Sequence, residues 1–324
     1  MDELQTISDV AEGILADDSD PVVRYRLLRD VLCRPAGDRE LAAARRTLDG
    51  SRWVQLLAAE QHADGSWGRF HSVNTRAGQK IGTTEIGMAR AVELGLGPEH
   101  PILRKAADYI IGILKGEVRF PDPAERNDRW PAGAEMFAGA TLALIHPNLS
   151  VLDSPWQRWA DILSRVFADG EFSADAEIEA HGDLHGIRDG VGYLGLRNRY
   201  AVGLLGSRAD RLSAAIEESY LGWLWSLPNG LGYIDVPLCT PSRPRRIPGW
   251  LHSLSHVAVF PSWRQFGLGW ADWLLGQRNR AGLWDFGPKA SRPRFSESWR
   301  KPARRAHDHS LSALILLRQY FQGG

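Results

Sequence analysis

Apolar residues recur three and four positions apart along most of the chain, and this spacing predicts amphipathic helices. The segments ILRKAADYIIGIL and WQRWADILSRVF show it most clearly, with charged residues on the opposite face. Further helices are predicted near residues 4 to 16, over 20 to 32, in a third segment ending before the turn at Trp67, and over 310 to 321. The alternation of apolar and polar residues that indicates strands is scarce. The pattern therefore predicts an all-helical protein.

A glycine-containing turn followed by an aromatic residue interrupts the helical pattern five times. The five aromatic residues are Trp67, Phe120, Phe172, Tyr233 and Trp284, at intervals of 53, 52, 61 and 51 residues. Each interval has room for two helices of roughly 12 to 20 residues with their connections. With the N-terminal helices this predicts a single domain over residues 1–324, an all-α (α/α)6 toroid of six inner and six outer helices. An open superhelix of helix pairs is the alternative.

Composition narrows the function classes. The 324 residues include 39 basic and 39 acidic side chains, so no net charge attracts nucleic acid or an anionic membrane. No apolar run is long enough for a transmembrane segment. The only cysteines, Cys33 and Cys239, give no disulfide framework and suit a reducing cytoplasm. Thirteen tryptophans favour a hydrophobic small-molecule substrate, and nothing in the sequence indicates an oligomeric state.

Two of the turns share a further pattern. Gln61, Gly65 and Trp67 form a turn that resembles the QW motif of squalene-hopene and oxidosqualene cyclases, and the turn from Gln277 to Trp284 is a looser copy. The chain thus resembles the terpenoid cyclase and protein prenyltransferase superfamily, and the resemblance implies an α/α toroid with a central cavity. A glutamine amide in such a turn can satisfy backbone groups at a helix end, so we interpret these residues as scaffold.

The segment after Trp284 resembles the protein prenyltransferase β-subunit, in which a turn precedes a zinc-binding histidine at the start of an inner helix. The resemblance implies that His309 corresponds to this ligand, with Asp235 and Cys239 as the nearest equivalents of an Asp-x-Cys pair. These two residues stand four positions apart instead of two. We therefore predict no bound cofactor and keep Asp235, Cys239 and His309 as the alternative zinc set.

In the resembling families the segment after each turn leads to the cavity, which indicates where catalytic groups lie. The densest polar cluster follows Phe172, and we expect its histidines and carboxylates to act as general acids and bases or to ligate a metal from alternating positions of an extended segment. The alternative is a solvated loop with an acidic helix start. The predicted catalytic residues are His181, Asp183, His185, Asp189 and His309.

A second set is predicted to contact the substrate. Lys80 and Glu85 lie at the expected entry of an inner helix, Trp130 is expected to form a pocket wall, and Arg300 belongs to a basic segment suited to phosphate. Ordinary helix capping and surface ion pairs are the alternatives. The full substrate-binding set is Lys80, Glu85, Trp130, Glu135, His252, Trp299 and Arg300.

Two motifs of the standard cyclases are missing from the sequence, the Asp-x-Asp-Asp acid and the Asp-Asp-x-x-Asp metal site. We therefore predict a terpenoid cyclase-like enzyme that binds an apolar or isoprenoid-like molecule and carries out a cyclisation or isomerisation by acid-base chemistry. One alternative is a polysaccharide lyase or glycosidase, because such enzymes share the toroid and use carboxylates with aromatic platforms. A binding protein without catalytic activity is the other.

Overall fold

Helices account for the secondary structure of residues 3–241, 243–267, 269–290 and 293–322, which this computed structural model describes. Within these ranges no strand forms, and one isolated bridge joins Asn198 to Gly232. The all-helical prediction is confirmed. The α-helices are α1 (Glu3–Ala16), α2 (Pro21–Arg26), α3 (Arg39–Asp49), α4 (Arg52–Glu60), α5 (Thr84–Glu93), α6 (Pro101–Leu114), α7 (Trp130–Ala143), α8 (Asp153–Val166), α9 (Ala174–His185), α10 (Arg199–Gly206), α11 (Ala214–Ser226), α12 (Ile247–Val257), α13 (Trp270–Leu275) and α14 (Pro302–Gln322).

The helix bounds follow the predicted segments with two differences. The segment before the first turn forms two helices, α3 and α4, because the chain breaks at Gly50 and Ser51. The last helix begins at Pro302 and not near residue 310, since proline is well suited to the first turn of a helix. A π-helical turn, Leu27–Val31, continues α2. No helix in the described ranges is both long and apolar enough to cross a membrane.

The chain divides into two compact units. Unit 1 comprises residues 1–56, 236–258 and 267–324, and unit 2 comprises residues 57–235 and 259–266. Unit 1 is built around α14, which contacts α1, α2, α12 and α13. The side chains of Leu311, Leu314 and Leu317 recur every three residues on α14 and are fully buried. This spacing gives the helix the apolar stripe that holds unit 1 together.

Unit 2 is built around α7, which contacts α5, α6, α8 and α10. From Met136 to Ala143 every residue of α7 is buried, and alanines and glycines predominate along the helix. Small side chains on all sides allow the neighbouring helices to approach closely. A helix that is apolar around its whole circumference belongs in the interior, and α7 therefore forms the core of unit 2.

The first QW-like turn lies in unit 2 and makes the bracing contacts expected of scaffold. The Gln61 amide donates to the carbonyl oxygens of Gly65 (3.0 Å) and Ile102 (2.9 Å). The indole N–H of Trp67 donates to the Leu57 carbonyl at 3.0 Å, and its backbone N–H donates to the Thr84 hydroxyl at 3.1 Å. Trp67 is fully buried. The turn therefore ties the end of α4 to the starts of α5 and α6.

The second QW-like turn lies in unit 1 and repeats this geometry. The indole N–H of Trp284 donates to the Leu274 carbonyl at 2.7 Å, and its backbone N–H donates to the Ser310 hydroxyl at 3.0 Å. Trp284 is also fully buried. Each tryptophan thus joins the carbonyl ten positions before it to a hydroxyl group on the helix that follows.

Candidate active site

Two polar side chains of unit 2 converge on the carboxylate of Glu85. Oε2 of Glu85 lies 2.9 Å from Nδ1 of His71 and accepts a hydrogen bond of 2.8 Å from the Tyr200 hydroxyl. Glu85 and Tyr200 are buried, whereas a fifth of the His71 side chain is exposed. A carboxylate only accepts hydrogen bonds, so Nδ1 of His71 carries the proton and Nε2 holds a lone pair. This arrangement is a carboxylate-oriented histidine of the kind that acts as a general base.

Helix starts place two of these residues. Thr83 caps α5, its hydroxyl accepting from the Ile86 N–H at 3.3 Å, so Glu85 lies in the first turn of that helix. Asn198 caps α10 by accepting from the Tyr200 N–H at 2.9 Å. Serine, threonine and asparagine are favoured at this position because their side chains satisfy backbone N–H groups that lack a helical partner. The helix caps therefore fix the backbone positions of both Glu85 and Tyr200.

Aromatic rings surround His71. The Phe137 ring stacks on the imidazole with centroids 3.9 Å apart and 6° between the planes, and Tyr193 stacks on the other side of Phe137. Tyr233 lies edge-on to both His71 and Tyr200, at 5.6 Å in each case. Half of Tyr233 is exposed. The rings give the histidine an apolar setting that remains open to solvent on the side of Tyr233.

Tyr233 also has an unusual backbone. Its φ is +69°, in the left-handed region of backbone conformation that residues other than glycine rarely adopt. The turn is fixed from two sides, because the Gly232 N–H donates to the Arg197 carbonyl (2.8 Å) and the Arg199 N–H donates to the Gly232 carbonyl (3.3 Å). Such strain persists only where the surroundings impose it, and it is most frequent at functional sites.

Arg199 supplies the positive charge of the cluster. Its guanidinium lies over the Tyr200 ring at 4.1 Å, donates to the Tyr200 hydroxyl at 2.5 Å, and is 4.0 Å from Oε1 of Glu85. Burial and the nearby charge of Glu85 raise the pKa of Tyr200. Tyr200 therefore keeps its proton at neutral pH. The cluster combines a base at His71, a proton donor at Tyr200 and a partly exposed cation at Arg199.

The prediction for the cluster after Phe172 was wrong in its local structure. These residues form helix α9, which Ser173 caps by accepting from the Ala176 N–H and which ends at Gly186 with φ +70°. His181 and His185 are thus four positions apart on one helix face and not on an extended segment. Their Nδ1 atoms lie 3.0 Å apart, and both rings pack against Trp159.

The two histidines are electrically neutral. Burial lowers the pKa of His181 to about 3, with a smaller contribution from His185. Burial and the charge of Arg158 lower the pKa of His185 to about 4. The Nε2 atoms of both rings are buried without a hydrogen-bond partner among the described residues. This pair is part of the apolar interior, and neither Nε2 atom is accessible to solvent.

The two predicted catalytic aspartates of this segment lie on the surface. Asp183 is exposed and forms an ion pair of 2.8 Å with Arg165, itself half exposed. Asp189 is exposed, and its backbone is held by the Asp128 carboxylate and by Arg129. Exposed ion pairs contribute little to stability because water screens them. The structure does not bring either aspartate together with His181 and His185.

The remaining predicted catalytic residue, His309, is buried in unit 1. Its Nδ1 accepts a hydrogen bond from the Phe286 N–H at 3.1 Å and lies 3.6 Å from Asp285, which Arg305 holds through two hydrogen bonds. Burial lowers the pKa of His309 to about 4, although Asp285 acts in the opposite direction. Nε2 is buried and has no hydrogen-bond partner among the described residues. With Nδ1 accepting from the backbone, the proton of the neutral ring lies on the buried Nε2, so His309 presents no free lone pair to a substrate.

The residues of the alternative zinc set do not fit a metal ion. His309 is fully buried with Nδ1 engaged by the backbone, whereas Asp235 and Cys239 are exposed. In the described ranges no group of three histidine, cysteine or acidic side chains is arranged to hold a metal.

Of the predicted substrate-binding residues, Glu85 lies in the His71 cluster. Elsewhere in unit 2, Lys80 is exposed, Trp130 lies edge-on to Phe120, and Glu135 forms an ion pair with Arg158. In unit 1, His252 lies on the surface beside His256, and Trp299 is flanked by Arg294 and Arg300 at 4.1 and 4.9 Å. Arg300 is exposed. The predicted set is therefore distributed over both units.

Sequence reasoning missed His71, Arg199, Tyr200 and Tyr233. Tyr200 lies 129 positions from His71 along the chain, and no local pattern joins them. A weaker signal was present, since His71 follows the first QW-like turn by four residues and Glu85 opens the next helix.

Comparison of the chain with protein-family models, with curated proteins and with solved structures finds no match.

Proposed function

We propose that the His71, Glu85 and Tyr200 cluster is the acid-base centre of an enzyme that moves a proton on a small molecule with an apolar or isoprenoid-like body. The observation that carries the proposal is the shared carboxylate oxygen of Glu85, which binds both the imidazole and the phenol within hydrogen-bond distance. Glu85 orients His71 so that Nε2 removes a proton from the substrate. The proton taken up by Nε2 is then returned to another carbon of the substrate, while the Tyr200 hydroxyl, which donates to Glu85, holds that carboxylate in line with His71.

The aromatic rings support an apolar substrate. Tyr233 and His71 are the exposed members of the ring cluster, and their faces and edges offer apolar contact area beside the base. Glu85 is an acceptor toward both His71 and Tyr200, and this arrangement suits proton removal by His71 better than protonation of an alkene. An isomerisation that begins with proton removal is therefore favoured over a cyclisation that begins with protonation.

We also propose that the helix pairs close into an α/α toroid of the terpenoid cyclase kind. The support is the pair of QW-like turns, which make the same bracing contacts in each unit. The proposed location is the cytoplasm, because Cys33 and Cys239 are exposed free thiols that suit a reducing compartment. A crystal structure tests the closure, since the inner helices of a toroid surround one central cavity and those of an open superhelix do not.

The test of the activity uses exchange with heavy water. The protein is incubated in D2O with squalene, with farnesyl diphosphate and with geranylgeraniol, and products are analysed by mass spectrometry for incorporated deuterium. We expect His71→Asn and Glu85→Gln to lower the exchange rate by roughly 10²- to 10⁴-fold. Asp183→Asn is the matched control, because that carboxylate is exposed in the same unit, and it should retain the rate. Full activity of His71→Asn on an exchanged substrate contradicts the proposal.

A polysaccharide lyase is the second candidate, and Arg199 is the observation that favours it. Elimination from a uronic acid needs a cation to neutralise the carboxylate, a base for the adjacent C–H proton and an acid for the departing oxygen. Arg199, His71 and Tyr200 supply these three groups within one cluster. Uronic-acid polymers distinguish the candidates, because a lyase produces unsaturated ends that absorb in the ultraviolet. An increase in ultraviolet absorbance with the unchanged protein that is absent with Arg199→Gln supports the lyase.

A further inference from the structure

A buried carboxylate of unit 2 binds the loop that carries His71. Oδ1 of Asp122 accepts from the Phe70 N–H at 2.5 Å, and Oδ2 accepts from the N–H groups of His71 (3.1 Å) and Ser72 (2.6 Å). Oδ2 also accepts from the Ser72 hydroxyl at 2.8 Å. Three successive backbone N–H groups pointing at one anion form a nest, in which every donor adds to the attraction. Asp122 is only 5% exposed, so little water competes.

We propose that Asp122 is the positioning residue of the acid-base centre, which holds His71 in line with Glu85. The inference rests on the proposed function of His71. Asp122 binds the backbone on both sides of the histidine, and Glu85 binds its ring. Two fixed points, one at the main chain and one at Nδ1, leave the imidazole little freedom. Nε2 is then presented in one direction.

The backbone of the same loop adds a second tie to Glu85. The Glu85 N–H donates to the Phe70 carbonyl at 3.2 Å, and the Thr84 N–H donates to the Arg69 carbonyl at 2.8 Å. Asp122 accepts hydrogen bonds from the backbone N–H groups of residues 70–72, while the first residues of α5 donate to the carbonyl oxygens of residues 69 and 70. The loop is therefore fixed to the helix that carries Glu85, and the distance between the base and its carboxylate is set by main-chain contacts.

Unit 1 contains a matched control. The buried carboxylate of Asp308 accepts from the N–H groups of Phe295 and Ser296, both at 2.9 Å, and from the Ser296 hydroxyl at 2.6 Å. The donors are of the same kinds as at Asp122, with two backbone N–H groups instead of three, and neither Asp308 nor its donors belong to the His71 cluster. Asp122→Asn and Asp308→Asn therefore make the same chemical change, and the proposal predicts that only the first alters His71.

The test reads the tautomer of His71 directly. Protein with ¹⁵N-labelled histidine is studied by long-range ¹H–¹⁵N NMR, and the His71 signals are identified as those that His71→Asn removes. We expect His71 to carry its proton on Nδ1 in the unchanged protein and in Asp308→Asn. In Asp122→Asn we expect loss of the single Nδ1–H tautomer in favour of a mixture. A pure Nδ1–H tautomer in folded Asp122→Asn overturns the inference.

The rate gives a second readout. On a substrate found by deuterium exchange, Asp122→Asn should lower kcat on the order of 10- to 100-fold with little change in KM, because misplaced catalytic groups cost mainly turnover. Ser72→Ala removes one of the four hydrogen bonds and should lower kcat about threefold. If Asp122→Asn fails to fold, Ser72→Ala is used in its place. Unchanged kcat in Ser72→Ala, together with unchanged amide hydrogen exchange at residues 70–72, then overturns the inference.

The outcomes separate the two proposals. If His71→Asn retains turnover, the proposed function fails and the positioning role of Asp122 fails with it. If His71→Asn loses turnover while Asp122→Asn retains both the tautomer and kcat, the proposed function stands and the role of Asp122 alone is wrong.

Discussion

The two QW-like turns have the same frame but lead to different histidines. After Trp67 in unit 2, His71 is one-fifth exposed and shares a carboxylate with Tyr200. After Trp284 in unit 1, Phe286 donates its N–H to His309, which is fully buried beside Asp285. Both pairs join imidazole to carboxylate, yet only the first is reachable by a substrate. The same turn is present in both units and therefore belongs to the scaffold, whereas exposure and the added tyrosine distinguish the His71 cluster.

The largest expected contrast is in turnover. His71→Asn should lower kcat by roughly 10²- to 10⁴-fold, because the base is removed from the acid-base centre. His309→Asn should leave kcat of the folded protein within about threefold, because a buried ring does not reach a substrate. Steady-state kinetics on an exchanged substrate measures both. Equal losses in the two variants, with both proteins folded, would break the contrast between the units.

The free energy of unfolding should be more sensitive to a change in unit 1 than to one in the His71 cluster of unit 2. Asp308→Ala leaves two N–H groups and a hydroxyl of unit 1 buried without an acceptor, which should cost about 3 kcal/mol or more in the free energy of unfolding. Glu85→Ala removes the acceptor of two donors, of which His71 is one-fifth exposed and can bond to water instead, so it should cost less, about 2 kcal/mol. Urea unfolding followed by tryptophan fluorescence measures both. A larger loss for Glu85→Ala contradicts the assignment of structural and catalytic carboxylates.

Acid should weaken unit 2 before unit 1. The folded-state pKa values of His181 and His185, about 3 and 4, lie below that of an unfolded histidine near 6.5. The unfolded chain therefore binds more protons, and stability falls as the pH falls from about 6.5 toward 4. Between pH 7 and pH 5 each of these histidines lowers the free energy of unfolding by roughly 2 kcal/mol. Burial raises the pKa of Glu177, so this carboxyl gains stability as it takes up its proton. That gain opposes the loss from the histidines only in the pH range where Glu177 itself titrates.

Unit 1 has an internal compensation. His309, with a pKa of about 4, and His307, whose pKa burial also lowers, lose stability over the same interval, but burial raises the pKa of Asp308 to about 7. A carboxyl with a raised folded-state pKa binds its proton more readily when folded, so its contribution increases as the pH falls from 7 to 5, by roughly 2 kcal/mol. Hydrogen exchange by mass spectrometry, corrected for the intrinsic pH dependence, resolves the units. Earlier opening of unit 1 at pH 5 contradicts this balance.

The smallest effect concerns Tyr233. Tyr233→Gly removes the strain of a left-handed backbone and should raise the free energy of unfolding by about 0.5 to 1 kcal/mol. The same change removes an aromatic contact beside His71 and should raise KM with little change in kcat. Tyr233→Phe, which keeps the ring, is the control and should resemble the unchanged protein. A destabilised Tyr233→Gly with unchanged KM shows that the residue serves the fold alone.

Helical periodicity predicted the fold class well, because it depends on local spacing that burial of one face imposes. It failed at α9, where two histidines and an aspartate at every second position resembled an extended segment. The cap at Ser173 and the glycine at Gly186 are the local signals of a helix there. The spacing of four between His181 and His185 is equally consistent with one helix face.

The candidate site was predicted only at Glu85. Its partners come from distant parts of the chain, with His71 14 positions and Tyr200 115 positions from the carboxylate. Tertiary packing around α7 brings these residues together. A single sequence does not show which distant residues will be in contact. Asp122 stands in a charged stretch of the sequence and is nevertheless buried, because three backbone N–H groups donate to it.

The most direct measurement is carbethoxylation by diethyl pyrocarbonate, which reacts with accessible neutral imidazole nitrogen. Peptide mass mapping follows every histidine while turnover is measured on the same samples. We expect His71 to be modified, turnover to fall in proportion to its modification, and His309 and His181 to stay unmodified in the folded protein. Complete modification of His71 with turnover retained, or loss of turnover that follows His309 instead, would contradict the assignment of His71 as the catalytic base.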